Sequence, residues 1–165
     1  MDTQVFGGAL ISIVVSLILL TFGWFIYDSL WISPLARSEM AGGIVSFVLF
    51  VAVAFALTHL MSGRAAYIHV GALLGTFMSA NVWLRILPFQ RQMVAAFKKG
   101  IPPDMSLGAR AKERTKHNNY MVLTVVLIMI SNHFPVATYG NQYNWIVLTA
   151  LAVIGGIAAN LLRKR

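Results

Sequence analysis

Residues 7–31, GGALISIVVSLILLTFGWFIYDSLW, run for about seven helical turns with one charged side chain, Asp28. A bilayer core is crossed by roughly 20 mainly apolar residues in a helix, so this stretch is long enough to span, and its neighbours repeat the pattern. Further apolar runs at 42–61, 66–87, 119–134 and 144–162 predict five transmembrane helices joined by short turns and one longer basic loop, 88–118. The composition agrees: of 165 residues 58% are hydrophobic and only 11% charged, outside the range of a water-soluble domain. The expectation is one all-α membrane domain over residues 1–165. No Lys or Arg precedes the first run and no small-residue cleavage site follows it, so it reads as a retained helix and not a secretion signal.

Charge predicts the orientation. With five spans, Arg37, Arg85, Arg91, Lys98, Lys99, Arg110, Lys112, Arg114, Lys116, Arg163, Lys164 and Arg165 fall on one face, and Arg64 alone on the other. The positive-inside rule then puts the N-terminus outside and the C-terminus in the cytoplasm. The net charge of +8 sits in short juxtamembrane segments, which speaks for anionic lipid and against nucleic acid. Ser106 is the expected cap of a short basic helix in the loop. Gly71, Gly75 and Ser79 form a small-residue stripe for close helix packing. Pro135 ends the fourth span, and Asp28 is expected near the interface, pairing with Arg37.

The chain has no cysteine, which excludes disulfides, thiolate metal sites and covalent c-type haem attachment within these residues. It has no glycine-rich phosphate loop, no plausible Ser-His-Asp order and no paired carboxylates, so hydrolase, kinase and glycosidase chemistry is not indicated. Redox work remains. On the predicted topology His59, His69 and His133 share the outer face, and imidazole is both the usual axial ligand of b-type haem and the commonest metal ligand. His69 and His133 are the preferred haem pair with His59 as third candidate, Asn132 and Thr76 are supporting groups, and the same three histidines are the alternative ligands of copper or zinc. His117, Asn118, Asn119 and Tyr120, at the opposite face, are a candidate quinone or substrate pocket. Asn81, near mid-depth in the third span, reads first as an interhelical hydrogen-bonding residue.

Several pieces of this pattern resemble one family. Ser62-Gly63-Arg64 followed by His69-Val70-Gly71-Ala72, the Ala80-Asn81-Val82 triplet, Pro88 with Gln90-Arg91, the block His117-Asn118-Asn119-Tyr120, and Ser131-Asn132-His133 are similar to the membrane domain of the cytochrome-c-linked urate oxidases, over about residues 57–135. A weaker echo lies at Asn144-Trp145. That family is described as an integral membrane protein that oxidises urate and delivers electrons to a C-terminal cytochrome c domain. The resemblance implies a redox subunit of the bacterial inner (plasma) membrane, with the electron acceptor on another subunit. The resulting expectation is an electron-transfer subunit that binds b-type haem near the outer face and works with other membrane subunits and a periplasmic cytochrome c or terminal oxidase. The alternatives are a cofactor-free structural subunit and part of a urate-oxidising enzyme.

Overall fold

The computed structural model describes residues 3–163, and among them every regular element is helical. Helix α1 covers Thr3–Ile32, a 3-10 turn Pro34–Arg37, α2 Glu39–Leu60, α3 Gly63–Asn81, a π turn Val82–Ile86, α4 Leu87–Lys98, α5 Met105–Ser131 and α6 Asn144–Arg163. Lys164 and Arg165, part of the charge pattern above, and the side chain of Arg37 lie outside the described residues.

Four helical stretches, and not five, are long and apolar enough to cross a membrane: Leu10–Ile32, Glu39–Leu60, Gly63–Lys98 and Asn144–Arg163. The expected fourth span is the C-terminal half of α5, whose first half carries Arg110, Lys112, Glu113, Arg114 and Lys116. Residues 88–118 are likewise no loop. The third span runs on through the π turn into α4, forming 36 continuous helical residues, and α5 begins at Met105. Pro88 does not stop the helix because it follows the wider π turn, where the Leu87 amide bonds to the Val82 carbonyl five residues back. That widening relieves the clash a proline ring makes with the carbonyl four residues earlier. The helix stops at Gly100, whose φ of 70° suits glycine. Gly100 N bonds to Phe97 O and Ile101 N to Ala96 O, both at 3.0 Å, which completes a Schellman cap. The cap of α5 is Asp104 and not Ser106: its carboxylate accepts from the Ser106 amide at 2.8 Å, and hydrogen bonding from Ser106 holds that carboxyl below the usual range.

Helix α5 packs against both α3 and α6, and α1 and α2 close the bundle over α3. The apolar core, Ala54, Leu57, Ala66, Tyr67, Val70, Ile128 and Leu148, sits toward the end where α2 turns into α3. Tyr67 lies within it because its hydroxyl donates to the Asn144 carbonyl at 2.7 Å. Large apolar side chains such as Leu17, Phe22, Ile26 and Phe47 point outward, as a lipid-facing surface requires. Of the predicted small-residue stripe, only Gly71 is in close contact, against the end of Met129; nothing lies within 4 Å of a Cβ placed at Gly75, and Ser79 is exposed. Helices α5 and α6 approach backbone to backbone at Gly155, where a Cβ would meet the Thr124 nitrogen at 2.8 Å.

Candidate functional site

Three helices present polar residues at matching spacing toward the end of the bundle that carries most of the cations. Trp24, Tyr27, Asp28 and Trp31 stand at i, i+3, i+4 and i+7 on α1, and Arg114, His117, Asn118 and Met121 repeat that spacing on α5. From α3 and the π turn come Asn81 and Arg85. Each such stripe lies along one helix face, and polar groups in an apolar bundle must find partners in one another.

They do so in a chain whose directions follow from one residue. The Trp24 indole nitrogen can only donate, and it bonds to Asn81 Oδ1 at 3.1 Å. The Asn81 amide nitrogen therefore donates to Tyr27 Oη (3.3 Å) and to Asn118 Oδ1 (2.9 Å). Asn118 in turn donates to the Met78 carbonyl at 3.0 Å. The only other hydrogen bond of Tyr27 Oη among the described residues is the one it accepts from Asn81, so the hydroxyl hydrogen is assigned to His117 Nδ1, 2.6 Å away. His117 is thereby assigned as a neutral imidazole with its hydrogen on Nε2. Asn81, with no exposed surface, is the hub of this network. Its expected role as an interhelical bond is met, and it joins three helices.

Asp28 pairs with Arg85 and Arg114; the expected pairing with Arg37 rests on a side chain outside the described residues. Arg85 reaches it through Nε at 3.0 Å and through Nη2, and Arg114 Nη2 donates to Oδ1 at 2.8 Å. Arg85 thus has its counter-ion 57 residues away, and the two guanidiniums also lie over the rings of Trp24 and Tyr27.

Beside this network is a cavity of about 400 Å³, walled by Tyr27, Trp31, Lys116, His117 and Tyr120 with Ser46 and Thr124. The Trp31 ring lies against His117, with centroids 4.0 Å apart, and its indole nitrogen donates to Ser46. Lys116 is paired with Glu39 at the rim. Aromatic faces, a hydrogen-bonding imidazole and an ammonium group around such a cavity suit a planar, anionic or carbonyl-rich molecule. Of the block predicted as a pocket, His117 and Tyr120 line this cavity and Asn118 joins the network behind it, whereas Asn119 is exposed and outside both. Tyr27 and Trp31 were not singled out as site residues. Their signal is the W-x-x-Y-D-x-x-W spacing of residues 24–31, which puts all four side chains on one helix face.

At the opposite end His59 and His69 bond to their own helices, and His59 and His133 lie exposed. His59 is exposed, with Nδ1 on the Phe55 carbonyl at 2.7 Å, and His69 holds the Ala65 carbonyl in the same way. His133 is exposed in the turn after α5. Thr76 bonds to the Ala72 carbonyl of its own helix, and Asn132 to the Ile128 carbonyl. Among the described residues no three of His, Cys, Asp and Glu assemble as a metal-binding group. His69 borders a small apolar cleft with Leu19, Leu57 and Leu73. Any group held by the exposed His59 or His133 would sit at the surface.

The family described as urate oxidase N-terminal matches residues 2–165. The chain belongs to this family. The match takes in α1 as well as the later helices, so the whole Tyr27–Asn81–His117 network lies within the urate oxidase N-terminal region. No curated protein and no solved structure matches the chain.

Proposed function

We propose that the chain is the substrate-binding membrane module of a urate-oxidising oxidoreductase, and that the cavity beside His117 takes the substrate. The observation that carries this reading is the Tyr27–His117 pair at the wall of a cavity bounded by Trp31 and Lys116, in a urate oxidase N-terminal chain. Urate is a planar oxopurine and an anion at neutral pH. Trp31 supplies a flat apolar face, Lys116 an ammonium that it shares with Glu39 at the rim, and His117 Nε2–H a donor for a ring oxygen. Tyr27 and Asn81 hold the imidazole in the tautomer that makes this donor available.

Electrons removed from the substrate pass to an acceptor on another subunit, a cytochrome c or a haem. Haem, when bound, supplies one-electron acceptance; the exposure of His59 and His133 favours them as its ligands, at a surface shared with a partner. His59 donates its Nδ1 hydrogen to a backbone carbonyl, which leaves Nε2 as the ligating atom. The basic end faces the cytoplasm of a bacterial inner membrane, with residues 119–131 of α5 packed among the four apolar helices.

The test is urate-dependent reduction of added cytochrome c by the complex purified with its partner subunits, paired with urate binding followed by tryptophan fluorescence. His117→Ala is expected to lower the turnover about 100-fold and Tyr27→Phe about 10-fold, at the scale of a positioned proton donor and its support. Asn119→Ala should match wild type. Absence of urate binding, or His117→Ala at the wild-type rate, would overturn the reading.

A further inference from the structure

A second cavity, of about 220 Å³, lies on another side of Trp31, walled by Ile32, Arg85, Phe89, Arg110, Glu113 and Arg114. Its charges do not balance. Asp28 is shared by two guanidinium groups at a place where the side chains of Asp28 and Arg114 are only 6% and 5% exposed. Arg110 adds a third cation with no acidic partner among the described residues, against one further carboxylate, Glu113. Arg114 Nη1 is buried with no hydrogen-bond partner among the described residues, on the same guanidinium whose Nη2 holds Asp28. An uncompensated guanidinium in so dry a setting is costly, and the rings of Tyr27 and Trp24 offset only part of that cost.

The cavity's depth identifies what balances it. Trp31 and Ile32 are the last residues of α1 and Phe89 is in the first turn of α4, so the cavity lies where apolar helix gives way to charged segment, at the level of lipid headgroups. Exposed apolar side chains, Ile32, Trp83 and Leu84, stand near it in sequence as a seat for acyl chains. Basic pockets between helix ends at this level match phosphodiester groups in charge and in hydrogen-bonding geometry. We propose that the cavity bordered by Arg85, Arg110 and Arg114 binds the phosphate of an anionic phospholipid. The site is separate from the substrate cavity and does not depend on the function proposed above.

The chain is purified and placed in phosphatidylcholine nanodiscs with and without phosphatidylglycerol, and also in phosphatidylcholine with inorganic phosphate; melting temperature and lipid retention in native mass spectrometry are read. Phosphatidylglycerol is expected to be retained and to raise the melting temperature, and Arg110→Gln to weaken retention about fivefold, the equivalent of one cation near the membrane surface. Lys112→Gln, exposed on the same helix but outside the cavity, should leave retention unchanged. Arg110 takes no part in the Asp28 pair, so its substitution leaves the fold intact. Equal retention of the two lipids, or equal loss in both variants, would overturn the proposal. A stabilisation by inorganic phosphate that matches phosphatidylglycerol and is lost in Arg110→Gln would overturn the lipid assignment and leave a soluble oxyanion in its place.

Discussion

Replacing Asp28 by asparagine is expected to destabilise the protein by about 3–5 kcal/mol, the range for removing one partner of a buried ion pair. The carboxylate answers two guanidiniums at once, three of its bonds are charge-assisted, and water reaches little of it. Asparagine keeps the shape but leaves Arg85 and Arg114 without a counter-ion, and it offers one acceptor oxygen where two were used. Unfolding in detergent, followed by the melting temperature, reads the loss. Adding Arg114→Met to Asp28→Asn removes the more deeply buried of the two orphaned charges, so the double variant is expected to be more stable than Asp28→Asn alone. If Asp28→Asn melts with the wild type, the triad is not holding α1 to α3 and α5.

The second large effect is steric. A methyl group at Gly155 would fall 2.6 Å from Thr124 Oγ1 and 2.8 Å from the Thr124 backbone, which cannot rotate away. Gly155→Ala must therefore push α6 off α5, at about 1–3 kcal/mol for overpacking. Gly75→Ala, with open space around its Cβ, should stay within about 0.5 kcal/mol of wild type. Equal melting temperatures for the two variants would show that α5 and α6 are not held together at this contact. Activity offers a second readout, because Thr124 and Gly156 also line the cavity proposed for the substrate and a displaced α6 alters its wall.

Much of the architecture was legible in the amino-acid order. Apolar length marked α1, α2 and α6 to within a few residues and α3 at its start, and two residues of the block at 117–120, His117 and Tyr120, line the cavity beside α5. Reading 88–118 as a loop failed because Pro88 and the high charge were taken as helix-ending signals. A π turn ahead of the proline and charge spread along a packed helix remove both grounds. The outer histidines looked like a cluster because depth along a helix can be counted from sequence, whereas rotation about its axis relative to a neighbour cannot. His69 turns toward α1 while His59 and His133 face outward.

Sequence by itself determined that this is an all-helical, membrane-type protein of the urate oxidase N-terminal family, since hydrophobic length, charge and motif identity are properties of continuous stretches. Only the tertiary structure decided which polar residues meet. Tyr27 and His117 are 90 positions apart, Asp28 and Arg114 86, and Trp24 and Asn81 57. Each pairing depends on the rotation and register of separate helices, set jointly by contacts such as Gly155 on Thr124, and by the requirement that no charge or amide be left alone in an apolar bundle.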